Sequence, residues 1–200
     1  MSKYKTIFFD WGGVIANDPG DDFLRDLLRK VGANNAQIEE FFHDYMPQFM
    51  RGEITEDQYW YILRSKYNLN IKDSISEEFK QWKGLVANQD ILKLVSDAKA
   101  KGIQTAILSN AIEPTYNALQ QAGYYDLFDE LIVSCKVGFA KPQKEIYALA
   151  LKQLDTTAKE SVFIDDKQRN LDPAKEMGFK VILAENPHQI IKDLGTVLAE

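Results

Sequence analysis

Three short apolar stretches of this sequence run directly into polar groups that could do chemistry. Phe8-Phe9 leads into Asp10, Ile107-Leu108 into Ser109-Asn110, and Phe163-Ile164 into Asp165-Asp166. A fourth group, Lys141, stands before Pro142. A carboxylate can act as a nucleophile and form a covalent intermediate. Two adjacent carboxylates repel one another unless a cation or a lysine offsets them. Each residue taken singly has an ordinary explanation. An aspartate after a strand commonly caps the next helix or forms a turn, and a serine does the same. A carboxylate, a hydroxyl, a lysine and an acidic pair in that chain order are far more specific than any one of them.

The remaining composition narrows the chemistry by exclusion. The chain has 200 residues, two histidines (His43, His188) and one cysteine, Cys135. It can form no internal disulfide, no four-ligand Cys/His zinc site and no CxxC redox pair. Neither histidine sits in a nucleophile motif, so any catalysis is expected to run on carboxylates. Lys and Arg number 24 against 30 Asp and Glu, a net charge of −6, which speaks against a nucleic-acid partner. Asp10 interrupts the first apolar run before it reaches signal-peptide length, and no run approaches the roughly 18 residues of a membrane span. The expectation is a soluble cytoplasmic protein with no membrane partner. G-x-x-x-x-G-K-[ST] and G-x-G-x-x-G strings are both missing, which removes two common nucleotide-cradling loops.

The elements that must position these groups are legible as a pattern. Lys5 to Phe9, Ile103 to Leu108, Leu131 to Val133, Val162 to Ile164 and Val181 to Leu183 are brief apolar runs, as expected of strands buried on both faces. Segments of helical spacing separate them, such as Ile91/Leu94/Val95/Ala98 and Ile146/Tyr147/Ala150/Leu154. Pro114 and Pro142 suit first helical turns, and Gly102, Gly123 and Gly178 suit helix C-termini. The pattern predicts an α/β fold, a Rossmann-like parallel sheet with helices on both faces. One interval departs from it. From about residue 21 to 86 there are four helical stripes: Phe23/Leu24/Leu27/Leu28/Val31, Ile38/Phe41/Phe42/Tyr45/Phe49, Tyr59/Ile62/Leu63 and Ile75/Phe79/Trp82/Val86. Thr55 with Gln58 and Ser74 with Glu77 make capping boxes. This stretch is too long for a crossover and predicts an inserted all-α cap at 17–86 over an α/β core of 1–16 and 87–200. Parallel strands share one carboxyl edge, so Asp10, Ser109 and the acidic pair converge there, beneath the cap.

At these residues the sequence resembles the haloacid dehalogenase-like hydrolase superfamily, over essentially its whole length. FFDWGGVI resembles the first motif, with Asp10 as the nucleophile; ILSN resembles the second, with Ser109. Lys141 in FAKPQKEIY is similar to the third, and VFIDDKQRN to the acidic fourth. RGEITEDQYW resembles a cap turn of one branch. The resemblance implies a Mg²⁺-dependent phosphatase of small phosphorylated metabolites, working through an aspartyl-phosphate on Asp10. Asp10, Asp166 and the Gly12 carbonyl would hold the metal; Ser109, Asn110 and Lys141 would hold the phosphoryl oxygens. Asp165 would orient Lys141 or a metal-bound water, and Asn170 would brace that loop or cap the next helix. No oligomeric state is implied.

One position departs from the family's pattern. Most phosphatases of this family carry a second aspartate two residues after the nucleophile, where it moves protons; here that residue is Gly12. Losing a positioned acid–base costs about 10²–10⁴ in rate. Three outcomes stay open: a substitute acid, with Asp18 nearest in sequence; a substrate with a good leaving group; or a protein that binds phosphorylated ligands with little turnover. A 2-haloacid dehalogenase would share Asp10, Ser109 and Lys141, but those enzymes lack an acidic pair in the fourth motif. Trp11, Tyr45, Met46, Phe49 and Trp60 are candidates for the substrate wall, or else cap core, and Arg51 for an anionic substrate group. His43 lies on the polar side of its helix with no role assigned, and Cys135 is expected to be buried or half-buried.

Overall fold

A computed structural model describes residues 2–17, 20–71 and 86–200. Asp18, the Ser74 capping box and all of the fourth apolar stripe but Val86 lie outside them; Val86 itself is exposed. Five strands form one wholly parallel sheet: β1 (Thr6–Phe9), β2 (Gln104–Ser109), β3 (Glu130–Val133), β4 (Ser161–Asp165) and β5 (Lys180–Leu183), in the order β3-β2-β1-β4-β5. Each is one of the five apolar runs. The period-two alternation of a strand divides them between two cores. Ile7, Phe9, Ile107, Val162 and Ile164 face one layer, where α5 (Gln89–Ala100) and α10 (Pro187–Leu198) pack through Ile91, Val95, Ile190 and Leu194. Phe8, Leu108 and Phe163 face the other, against Ile146 and Tyr147 of α8 (Lys144–Gln153) and Leu171 and Ala174 of α9 (Gln168–Met177).

Between β1 and β2 the chain forms α1 (Gly20–Lys30), α2 (Asn35–Asp44), α3 (Met46–Met50) and α4 (Glu56–Tyr67). The Thr55–Gln58 capping box opens α4 as expected, and a second one, Asn34–Gln37, opens α2. The stripe from Ile38 to Phe49 is not one helix. It breaks at Tyr45, and Pro47 starts the short α3, because a proline cannot supply the N–H that a continuous helix needs. The four helices share a core of their own in which Tyr59 lies 4.9 Å from Phe41 and 4.6 Å from Phe49, ring centre to ring centre. Pro114 opens α6 (Glu113–Gln121) as expected, whereas Pro142 lies in the turn ahead of α8 and outside its first turn. Among the described residues no helix is long and apolar enough to cross a membrane.

Among the described residues, three attachments fix the helical roof on the sheet. At its base Ala16 bridges Ala87, and the Asn88 N–H donates to the Ile15 carbonyl at 2.7 Å, so the outgoing and returning chain pass together. At its far side Ser134, fully buried in the single-turn helix α7 (Ser134–Val137), donates its hydroxyl to the Met50 carbonyl at 2.6 Å. Ile112, just before α6, buries itself in the cap's apolar cluster. Gly52 follows Arg51 in the cap turn with φ +68°, and a Cβ there would stand 2.4 Å from the Cys135 carbonyl oxygen. Gly52→Ala is therefore expected to cost at least about 1 kcal/mol from the left-handed backbone alone, plus whatever the cap must shift to clear Cys135. Urea denaturation of the variant checks this; an unchanged midpoint would contradict the docking described.

Candidate active site

The strands bring the separated motifs to one point by register. Phe9 pairs with Ile107 on one side and Ile164 on the other, and the Asp10 N–H continues the β1–β4 ladder by donating to the Ile164 carbonyl at 2.9 Å. Asp10 and Asp165 therefore stand side by side at the carboxyl edge, where the sheet order reverses about β1. Lys141 enters between them from the β3–α8 connection. Its Nζ lies 3.0 Å from Asp10 Oδ2 and 2.6 Å from Asp165 Oδ2, with all three side chains nearly free of solvent. Ser109 is buried beside Asp10 and hydrogen-bonds its carboxylate. The Trp11 N–H donates to Asp10 Oδ1 at 2.7 Å.

Further hydrogen bonds hold this set in place. The Asn110 amide donates to the Lys141 carbonyl and accepts from the Lys141 N–H, both at 2.8 Å, so its two ends clamp the lysine backbone. Asn170 is buried in the first turn of α9 and donates its amide to both Asp165 oxygens at 2.9 and 3.0 Å; the Lys167 N–H adds a third donor at 2.8 Å. The Tyr147 hydroxyl donates to the Asn170 carbonyl at 2.7 Å. Gly13, with φ +75°, lets the β1 loop pass so close to Asp166 that a Cβ would sit 2.5 Å from its carboxyl carbon.

Carboxyl oxygens of Asp10, Asp165 and Asp166 lie within 4.8 Å of one another. Such a cluster suits a hard divalent cation, which takes oxygen ligands. The three carboxylates differ in what they have left to offer. Both Asp165 oxygens already accept from Lys141, Asn170 and Lys167, whereas Asp166 Oδ1 is buried with no hydrogen-bond partner. An orphaned buried oxygen of this kind is costly unless a cation takes it. Burial pushes the Asp10 carboxyl up to about 6, with Lys141 opposing the shift and Asp165 adding to it, and burial also raises Asp166.

Two connected cavities lie between sheet edge and roof. The inner, about 120 Å³, is lined by Asp10, Gly12, Ser109, Lys141 and Asn170, and by Met50 and Asp21 from the roof. The outer, about 590 Å³, is walled by Phe42, His43, Met46, Pro47 and Arg51 on the roof side. Of the residues proposed for the substrate wall, Met46 lines it, whereas Phe49 and Trp60 are buried in the cap core. Tyr45 stacks on Phe41, and Trp11 is buried against Tyr124 and Tyr125. Arg51 lines the outer cavity with its guanidinium held by Glu53 at 2.6 and 3.0 Å. His43, given no role from sequence, is on that wall as well, paired with Asp44. Cys135 is half-buried as expected. Sequence inspection missed Asp21 and Arg169, which line both cavities. Arg169 stood within the fourth motif and was passed over; Asp21 carried no signal beyond an acidic residue in a first helical turn.

A crevice of buried carboxylates and lysine at the carboxyl edge of a parallel sheet, roofed by inserted helices, is the layout of an α/β enzyme. A haloacid dehalogenase-like hydrolase model matches residues 4–178, and the chain belongs to that family of hydrolases. It is similar to a sesquiterpene phosphatase of Aspergillus oryzae, 32% identical over 180 residues and 88% of each chain. It is also similar to D-ribitol-5-phosphate phosphatase of Bacteroides thetaiotaomicron, 26% identical over 97% of this chain and 98% of that one. A family enzyme of Bacteroides thetaiotaomicron, solved in complex with magnesium and inorganic phosphate, shares the fold with a TM-score of 0.76. The two are 22% identical over 92% of this chain and 96% of that one.

The raised Asp10 carboxyl has a consequence for stability. Its folded value near 6 exceeds the unfolded value of about 3.9, so the folded state binds the proton more tightly. Stability from this group is full below about pH 4 and is lost as pH rises to 6. Asp10→Asn escapes that loss. In EDTA the stability of the variant relative to the parent should therefore rise between pH 4 and pH 6 and level off above it. Thermal melts at pH 4 and 8 check this; a difference in stability between variant and parent that is the same at both pH values would refute it.

Proposed function

We propose that the protein is a Mg²⁺-dependent phosphatase of small phosphorylated metabolites. The observation that carries this reading is the buried Asp10–Lys141–Asp165 cluster with the partnerless Asp166 oxygen beside it. Asp10, Asp166 and the Gly12 carbonyl would hold the cation, which screens phosphoryl charge so that a carboxylate can approach. Asp165 remains with Lys141, which it orients. Lys141 and the Ser109 hydroxyl neutralise and hold the phosphoryl oxygens, and Asn110 keeps the lysine in position. Asp10 then attacks phosphorus, giving an aspartyl-phosphate that water hydrolyses. Asn170 braces Asp165 through its two hydrogen bonds. The similarity to a sesquiterpene phosphatase and to a D-ribitol-5-phosphate phosphatase supports the reading, and the outer cavity leaves room for a substrate body beyond the phosphate. A second reading rests on Gly12: with no acid–base at that position, the protein would bind phosphorylated ligands and turn them over poorly.

Turnover of p-nitrophenyl phosphate should require Mg²⁺ and vanish in Asp10→Asn; activity that persists in EDTA contradicts the proposal. Tight binding of phosphate analogues without turnover across a panel of phosphorylated metabolites would favour the second reading. Gly13→Ala would press on Asp166. It should weaken Mg²⁺ binding by about 10–100-fold, as disturbing the support of a metal ligand commonly does. Calorimetric titration of Mg²⁺ measures this, and unchanged affinity would remove Asp166 from the ligand set.

A further inference from the structure

Proton transfer is the step for which the motifs supply no residue, and the walls of the inner cavity limit what could perform it. The group must titrate and must reach the leaving oxygen. Ser109, Asn110, Asn170 and Met50 do not titrate in the useful range, and Arg169 never gives up its proton. Lys141 is held between two carboxylates, and Asp10 is the proposed nucleophile. His43 reaches only the outer cavity. Two groups are left, Asp21 and Lys167.

Asp21 is the better placed. It sits in the first turn of α1, a helix of the roof, and lines the inner and outer cavities alike. Of the residues that line both cavities, Asp21, Met50, Asn110, Lys141 and Arg169, it is the one with a carboxyl group. It makes no hydrogen bond or ion pair with any described residue, unlike the cavity-wall residues Arg25, held by Glu39, and Arg51, held by Glu53. Lys167, exposed as Asp21 is, lines the inner cavity and not the outer one, and its backbone N–H is spent on Asp165.

We infer that Asp21 of the cap is the acid–base catalyst that stands in for the carboxyl missing at Gly12. This rests on the phosphatase reading above. In the first step Asp10 forms its bond to phosphorus as the ester P–O bond breaks, and the Asp21 carboxyl gives its proton to the departing oxygen. In the second, the Asp21 carboxylate takes a proton from water as the water oxygen bonds to phosphorus and the Asp10–phosphorus bond breaks, releasing inorganic phosphate. Asp21 is then protonated again. Because Asp21 belongs to the roof, the proton donor is in place only when the cap is seated.

The test compares two leaving groups in the full-length protein with Mg²⁺. With an unactivated alkyl ester such as glycerol 3-phosphate, Asp21→Asn should lower kcat/KM by about 10²–10⁴-fold. With p-nitrophenyl phosphate, whose phenolate needs no proton to leave, the same variant should release about one equivalent of nitrophenol at near the parent rate and then turn over slowly. Asp22→Asn, an exposed neighbour in the same helical turn that lines neither cavity, is the control for folding and helix charge and should match the parent. The inference fails if Asp21→Asn matches the parent while Asp10→Asn is dead, if both substrates lose rate equally with no burst, if Asp22→Asn shows the same loss, or if Lys167→Ala alone gives the burst. A parent protein inactive on every phosphate ester would overturn the phosphatase reading itself, and this inference with it.

Discussion

One ammonium group buried between two carboxylates sets the terms for the rest of this molecule. Lys141 is almost solvent-free between Asp10 and Asp165, and a buried charge of this kind is tolerated only with good geometry and satisfied hydrogen bonds. The surrounding structure supplies those conditions. Asn110 clamps the lysine backbone, Asn170 and the Lys167 N–H saturate Asp165, and Tyr147 of the neighbouring helix holds Asn170. Two carboxylates with one lysine still leave an excess negative charge, and Asp166 adds to it. The site keeps an excess of negative charge with protein groups alone, and burial raises the Asp10 carboxyl to about 6 even with Lys141 beside it.

The parallel sheet is what makes such a site possible. Strands of one direction deliver the ends of β1, β2 and β4 to one edge, so residues some hundred positions apart meet with only short side chains to bridge them. Close packing on both faces holds those ends still: Ile7 and Phe9 on one side and Phe8 on the other are fully buried. The roof is attached differently, by the Ala16–Ala87 neck, the Ser134–Met50 hydrogen bond and the seat of Ile112. A closely packed floor and a separately packed roof leave the buried polar cluster on one set of residues while the outer cavity is shaped by another.

Strands and the polar groups at their ends were legible because they obey local rules. Each strand is a short, doubly buried apolar run, and each polar residue at its end is a break in that run. The roof was legible as helices but not as a surface. Aromatic residues at helical spacing announce a buried face without saying what they pack on, so Phe49 and Trp60 could not be told from substrate wall before they were seen in the cap core. The α2–α3 break at Tyr45 turns the following residues, and Met46, Pro47 and Met50 reach the cavities from there. His43 and Asp21 were unremarkable polar residues until the roof was set over the sheet.

The amino-acid sequence by itself determined the α/β alternation, the helical insertion, the set of carboxylates, serine and lysine at the strand ends and the glycine at position 12, because all of these reside in residue type and short-range spacing. Only the tertiary structure decided that Asp165 is consumed by Lys141 and Asn170 while Asp166 keeps a free oxygen, and that Asp21 shares a chamber with Asp10. Those outcomes depend on contacts such as that of Ser134 with Met50, 84 positions apart, and on which of two neighbouring carboxylates a lysine reaches first. No local periodicity carries that information; it follows from how independently packed layers fit together.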